Sequence, residues 1–218
     1  MADDGTPVSE RSMGALSGGT IQLIRVAAAV AGLDEQSVRQ IMEEAALGAD
    51  TAAVEEVILQ SYLFAGFPRA LNAARLWRTF VSKPSPKSSA ESGGVAEWRA
   101  RGEKTCEAVY GGAYERLRRN IRALHPLLDD WMIVDGYGKV LSRPGLDLKT
   151  RELCIVAACA ASAQQRQLHS HLHGAFNAGA TREEVEGALD CLADHLPADR
   201  LASYKLLLAR VRGSDDVH

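Results

Sequence analysis

Two segments of this sequence, 131 residues apart, carry the same helix-boundary pattern, and that repeat limits the fold more than any other feature. Gly48-Ala49-Asp50-Thr51-Ala52-Ala53-Val54-Glu55 stands against Gly179-Ala180-Thr181-Arg182-Glu183-Glu184-Val185-Glu186, with a Gly stop, a polar cap and a Val-Glu pair in register. The helices before them also correspond: IQLIRVAAAVAG matches RELCIVAACAAS in its texture of small residues, and Arg69-Ala70-Leu71 falls opposite Arg200-Leu201-Ala202. The chain therefore reads as two related helical units. Apolar residues make up 46% of its 218 positions, enough to bury a core.

The periodicity is helical throughout. Asp34 is placed to cap EQSVRQIMEEAAL, in which Val38, Ile41, Ala45 and Ala46 recur at helical spacing before a stop at Gly48. TAAVEEVILQSYLF breaks at Ala65-Gly66-Phe67-Pro68 and resumes as RALNAARLWRTF. His125-Pro126 starts another helix, Asp147 is the expected N-cap of the one after SRPG, and further stops fall at Gly179, Pro197 and Gly213. Alternating β-branched runs and Asn-Gly hairpins are absent, so the fold class is all-α. Residues 1–14 read as a disordered end and 15–81 as a partial first unit. SKPSPKSSAESGG marks a linker over 82–97, a whole second unit covers 98–211, and 212–218 is a tail.

Charge and cysteine usage exclude several functions. With 25 Lys+Arg against 28 Asp+Glu there is no general pull toward nucleic acid or anionic lipid. No apolar run is long enough to span a bilayer, and no basic start followed by an apolar stretch opens the chain. A cytoplasmic protein is expected. Cys106, Cys154, Cys159 and Cys191 contain no C-x-x-C pair, and the last three sit in apolar helical contexts, where a thiol behaves as a small hydrophobe.

The densest chemistry lies in Gln164-Gln165-Arg166-Gln167-Leu168-His169-Ser170-His171-Leu172-His173. On a helix each residue advances by about 100°, so His169 and His173 share a face while His171 points the other way. Leu168, Leu172, Ala175 and Phe176 set the buried stripe, with His171 at its edge. The i,i+4 His pair lacks a carboxylate or thiolate on its helix to complete a metal set, so no metal is expected. Glu152, one position into an otherwise apolar helix, is the carboxylate held at the edge of the core. An imidazole and a half-buried carboxylate in contact give a proton donor and acceptor near neutral pH. The residue pattern equally permits a core histidine and a carboxylate that only favours the helix N-terminus.

The runs GYGKVLSRPGLDLKTREL and QLHSHLHGAFNAGATREEVEGAL resemble the carboxymuconolactone decarboxylase family, within the superfamily that includes alkylhydroperoxidase D. The resemblance covers about residues 98–211, and EEVILQSYLFAGFPRALNAARLW resembles the end of the same domain, so 15–80 looks like a truncated copy. The peroxidase branch uses a Glu, a C-x-x-C pair and a His four residues after the second Cys. Here the Glu falls on Glu152 and the His on His171, while Gln164 and Gln167 take the cysteine positions. Glutamine cannot form the attacking thiolate, so an alkylhydroperoxidase activity is the least supported option. In the first copy Gln22 stands near the Glu position and Gln40 or Ile41 near the His position, which leaves that copy catalytically empty.

The resemblance implies a cofactor-free carboxy-lyase acting on a γ-lactone carboxylic acid such as 4-carboxymuconolactone. His171 would be the proton donor and Glu152 its orienting partner, Arg143 or Arg151 a clamp on the substrate carboxylate, and Tyr137 and Trp131 pocket walls. The family's Ala-Gly-Phe-Pro-x-Ala-Leu-Asn survives only in the first copy, at Ala65–Asn72, so Phe67 and Asn72 are expected to complete the pocket. A non-catalytic oligomeric member, and a different cofactor-free lactone or acid enzyme, are the competing readings. The resemblance also implies a homo-oligomer, a trimer whose six units form a pseudo-sixfold ring.

Overall fold

The computed structural model describes residues 14–83 and 93–211. The disordered end expected at 1–14 lies outside the described residues apart from Gly14, as do the tail at 212–218 and most of the linker. The helices in chain order are α1 (Gly18–Gly32), α2 (Glu35–Gly48), α3 (Thr51–Phe80), α4 (Val95–Tyr110), α5 (Tyr114–Leu124), α6 (Pro126–Trp131), a π-helical segment (Met132–Leu141), α7 (Leu148–Ala161), α8 (Gln165–Asn177), α9 (Arg182–Asp190) and α10 (Ala198–Arg210). No strand occurs among the described residues, and the fold is all-α. The second half begins earlier than its expected boundary: α4 starts at Val95, so 95–97 is helix rather than linker.

Two helices form the centre because small and apolar residues dominate them. In α7 every residue from Thr150 to Ala161 is buried, and in α1 the buried set includes Leu23, Ile24 and the run Val26–Ala31. They pack on each other so closely that a Cβ at Gly32 would lie 2.3 Å from the Ala161 carbonyl oxygen. α2 and α3 cover α1, α8 and α9 cover α7, and one hydrophobic core runs through both halves.

The starts of the helices keep the spacing of the sequence repeat. The N-caps Ser17 and Asp147 of α1 and α7 are 130 residues apart, as are Asp34 and Gln164 of α2 and α8. Asp50 and Thr181, which cap α3 and α9, are 131 apart. Asp34 and Asp147 each accept the amide of the residue three positions on at 2.9 Å, satisfying one of the free donors of the first turn.

α3 is two arms joined at Gly66, whose φ of 77° and ψ of 164° fall in a region open almost only to glycine. Pro68 then occupies the first turn of the second arm, where its missing N–H costs nothing. Just beyond, the Arg69 guanidinium donates to the Val30 and Leu33 carbonyls at 2.5 Å each, closing the end of α1. Near the other end of the molecule, α4 and the π-helical segment press backbone against backbone. A Cβ at Gly102 would meet the Ile133 oxygen at 2.0 Å, and one at Gly138 the Trp98 oxygen at 2.1 Å.

Candidate active site

α7 and α8 cross in the core and bring Glu152 and His171 together. His171 Nδ1 and Glu152 Oε2 share a hydrogen bond of 2.8 Å, with the histidine 5% exposed and the glutamate fully buried. Glu152 Oε1 has no hydrogen-bond partner in the protein, so the histidine alone orients the carboxylate. With Nδ1–H donating to the carboxylate, Nε2 is the ring nitrogen left to exchange a proton.

Gly174, one turn beyond His171, makes the contact possible. A Cβ there would lie 2.5 Å from Glu152 Oε2 and 2.7 Å from Val109 Cγ1. The same small residue lets the end of α4 lie across α8, and the Asn177 side-chain amide fixes that crossing by donating to the Val109 carbonyl at 2.8 Å. Tyr110 follows Val109 and is thereby set beside His171, edge-on with ring centroids 6.3 Å apart. Phe64, at the end of the first arm of α3, packs edge-on from the other half at 5.7 Å. Tyr137 is 4% exposed in the π-helical segment and stands behind Tyr110 at 6.3 Å. Burial pushes both phenols well above their ordinary pKa, so they stay protonated through the neutral range.

The other residues expected at the site have other roles. Arg143 forms a two-pronged pair with Glu56 of α3, Nη2 to Oε1 at 2.8 Å and Nε to Oε1 and Oε2 at 3.0 and 3.1 Å. Arg151 is fully buried and donates to Glu56 Oε2 at 2.7 Å, Gln60 Oε1 at 3.1 Å and the Leu146 and Arg143 carbonyls. The carboxylate these arginines hold is the protein's own, which corrects their reading as a substrate clamp. Their guanidinium forks instead tie the entry of α7 to the first half. Trp131 is 55% exposed at the end of α6 and walls no buried site. Phe67 is 64% exposed and stacks on Tyr62 at 4.8 Å in a groove between the arms of α3. Asn72 is exposed in a separate groove lined by α1, α2 and the second arm of α3. The first half thus reaches the histidine through Phe64, not through Phe67 and Asn72.

Sequence reasoning missed Phe64, Tyr110, Gly174 and the Glu56–Gln60 pair. The glycine had a visible signal, an unforced Gly inside the apolar stripe of a helix one turn after His171. Glu56 and Gln60 are polar residues at i,i+4, one helical turn apart on the first arm of α3, a spacing that lets both face one partner.

In the first half the equivalent site is filled. At the offset of 130, Gln22 corresponds to Glu152, Ile41 to His171 and Glu44 to Gly174. Ile41 is 1% exposed in the core, while Glu44 pairs with Arg25 at 2.5 Å where the second half leaves room for a carboxylate.

Thiol chemistry has no footing here. Gln164 and Gln167, at the cysteine positions of the peroxidase pattern, are exposed. The four free cysteines lie elsewhere, with Cys106, Cys154 and Cys159 buried. Burial pushes the Cys106 and Cys159 thiols up to about 12 and that of Cys191 up to about 11. Among the described residues no three His, Cys, Asp or Glu side chains gather as a metal site, and no helix is long and apolar enough to cross a membrane.

The model of the carboxymuconolactone decarboxylase family matches residues 130–198, the segment that contains Tyr137, Glu152, His171 and Gly174. The chain is 40% identical over 71 residues to the 4-carboxymuconolactone decarboxylase of Acinetobacter baylyi, a match covering 32% of this chain and 53% of that protein. It is 33% identical over 138 residues to Peroxisomal protein 2 of Schizosaccharomyces pombe, covering 62% of this chain and 64% of that protein. Peroxisomal protein 2 of Saccharomyces cerevisiae is 25% identical, with 62% and 58% covered. The matches thus span between about half and two thirds of these relatives' lengths. The segment that carries the buried Glu–His pair, residues 130–198, is thus the part of the chain that is similar to the carboxymuconolactone decarboxylase family.

Proposed function

We propose that the protein is a cofactor-free carboxy-lyase acting on a γ-lactone carboxylic acid of the 4-carboxymuconolactone type, with His171 as the acid and Glu152 as its orienting base. The observation that carries this reading is the buried 2.8 Å contact between His171 and Glu152, framed by aromatic rings. In such a reaction the bond to the carboxylate carbon breaks and CO2 leaves. The bonding pair moves through the ring double bond onto the lactone oxygen, and a proton is then delivered to the carbon next to that carbonyl. Imidazolium Nε2 supplies the proton, Glu152 stabilises the charged ring meanwhile, and solvent restores the proton.

The engagement of Arg143 and Arg151 by Glu56 suits this chemistry. A guanidinium clamped on the departing carboxylate would stabilise the ground state as much as anything later and would not lower the barrier. Phe64 and Tyr110 offer that carboxylate a poorly hydrated environment instead. The test is to mix the purified protein with 4-carboxymuconolactone and follow CO2 release beside His171→Ala and Glu152→Gln. Release by the parent protein and its loss by a factor of about 100 or more in His171→Ala support the reading. No release from the parent would sink it.

A second reading, a non-catalytic oligomeric member, draws on the 5% exposure of His171 and on relatives whose names state no reaction. Either way we propose a homotrimer whose six units form a pseudo-sixfold ring. The exposed apolar residues Leu124, Leu127, Leu128 and Trp131 are candidates for the contact. Light scattering should give three times the 23.5 kDa of one chain, and a monomer would refute it. A cytoplasmic site of action competes with a peroxisomal one, which the names of two relatives raise and which imaging of a tagged full chain decides.

A further inference from the structure

α8 carries a second pair of imidazoles that the proton delivery described above leaves unused. Its apolar stripe, Leu168, Leu172 and Ala175, is fully buried, and His171 on that side is tied to Glu152. This packing fixes the rotation of the helix about its axis and leaves His169 and His173 exposed on the outer face. They stand one turn apart, and their rings meet edge to face with centroids 5.0 Å apart and planes at 73°.

A metal ion shared between two imidazoles requires that spacing. A ring nitrogen binds a late transition ion at about 2.0–2.1 Å, which places the ring centre roughly 3.2 Å from the ion. Two such rings at the roughly 90–110° angles of tetragonal or tetrahedral coordination have centres about 4.5–5.2 Å apart. The backbone needs no change, because the helix already sets the i,i+4 spacing and only the torsions of two exposed side chains have to be fixed. Burial, and secondarily the neighbouring His169, push the pKa of His173 below its ordinary value, so its ring offers a lone pair at neutral pH.

We propose that His169 and His173 form a two-histidine site on the outer face of α8 for a late divalent transition ion, Ni(II), Cu(II) or Zn(II). Among the described residues no third His, Cys, Asp or Glu gathers with the pair, so the site is open and solvent completes the coordination. Imidazole donors favour these ions over Mg(II) and Ca(II), which take oxygen ligands. Gln165 and Arg166 line the surface dip beside His169, and the Arg166 guanidinium is exposed, where salt and water screen its repulsion of a cation. The ion sits on the opposite side of the helix from the Glu152–His171 pair and takes no part in its chemistry. The site therefore stands whether or not the chain is a lyase.

The test uses the full chain without a histidine tag, stripped with a chelator, at pH 7.5. Calorimetric titrations with Ni(II), Cu(II), Zn(II) and Mg(II) are run on the parent, His169→Ala, His173→Ala, the double variant and His171→Ala. One ion per chain is expected, tightest for Cu(II), with none for Mg(II). Each outer-face single variant should weaken Ni(II) at least about tenfold, and the double variant no more than either single one, because a chelate is lost whole when one arm is removed. His171→Ala should bind Ni(II) like the parent. Because the ion binds only the folded helix, a hundredfold excess of Ni(II) over its Kd should raise the parent's melting temperature by about 5 °C or more and leave the double variant's unchanged. Both rings are exposed, so metal-free melts that coincide with the parent's establish that the variants fold. Absence of Ni(II) and Cu(II) binding in the parent overturns the inference. So does affinity that survives in the double variant, that falls with His171→Ala, or that falls additively in the two single variants as for independent imidazoles.

Discussion

At the scale of single residues, the site depends on what is absent as much as on what is present. Gly174→Ala places a methyl group 2.5 Å from Glu152 Oε2 and 2.7 Å from Val109 Cγ1. Alanine improves helix propensity by up to about 1 kcal/mol, whereas overpacking costs roughly 1–3 kcal/mol. The expected outcome is a net loss of stability, with the larger effect on catalysis because the carboxylate must leave His171. Melting curves and CO2 release check it together, and a variant that is more stable and fully active would show that the close approach is unimportant. The four cysteines make the opposite point, since burial pushes the Cys106 and Cys159 thiols up to about 12, Cys191 up to about 11 and Cys154 well above its ordinary value. At pH 8 each is held as the unreactive thiol, so a disulfide reagent such as Ellman's should titrate none of them until the chain is unfolded. Rapid native-state reaction at any of the four would contradict this.

At the scale of elements, the helices and their caps were legible and the long-range pairings were not. Asp34, Asp147, Gly48 and the Gly66–Pro68 break are local signals, because a cap bonds to amides two or three residues away. The π-helical segment left no mark in the pattern, since a ten-residue run wound with a longer period repeats too few times to be told from an α-helix. Arg143 and Arg151 were misassigned for a related reason: Glu56 and Gln60 lie 87 to 95 residues away, and nothing local to an arginine names its partner. The same blindness applied to Asp129, which pins α6 onto α5 through Arg118 and through Arg122 Nη2 at 2.6 Å, and is 3% exposed. Hydrogen bonds from Arg118 foremost, then Arg122, hold its carboxyl below the ordinary 3.8. A depressed carboxylate contributes stability above its unfolded pKa and loses it as pH falls through the folded one. Asp129→Asn should therefore cost about 2 kcal/mol at pH 7, less than a fully buried pair because Arg122 is half in water. The gap from the parent should close as pH falls below about 4. Denaturant titrations at pH 7 and pH 3 measure it, and a gap that widened in acid would reverse the argument.

At the scale of the whole molecule, the repeat in the sequence reads as two units, yet the second half is not self-sufficient. Its central helix α7 has every residue from Thr150 to Ala161 buried, and one side of it is covered by α1 of the first half. Removing residues before 82 would expose that apolar surface, at roughly 25 cal/mol for each Å², and would take from Arg151 both Glu56 and Gln60. Against a total domain stability of roughly 5–15 kcal/mol, the isolated half should fail to melt cooperatively in circular dichroism. A cooperative melt at the full chain's temperature would show two independent domains instead. Truncation consequently cannot ask whether the first half contributes to the pocket, because it removes the fold along with the contact. The contribution sits in one ring, Phe64 at 5.7 Å from His171, just before the hinge at Gly66. Phe64→Leu keeps most of the apolar volume and removes the aromatic edge facing the imidazole. If the first half serves as a wall of the active site, this variant should retain its melting temperature within a few degrees while its KM for the lactone rises several-fold. Unchanged kinetics in a stable Phe64→Leu would leave the first half with a purely structural task, that of covering α7 and holding Arg151 in place.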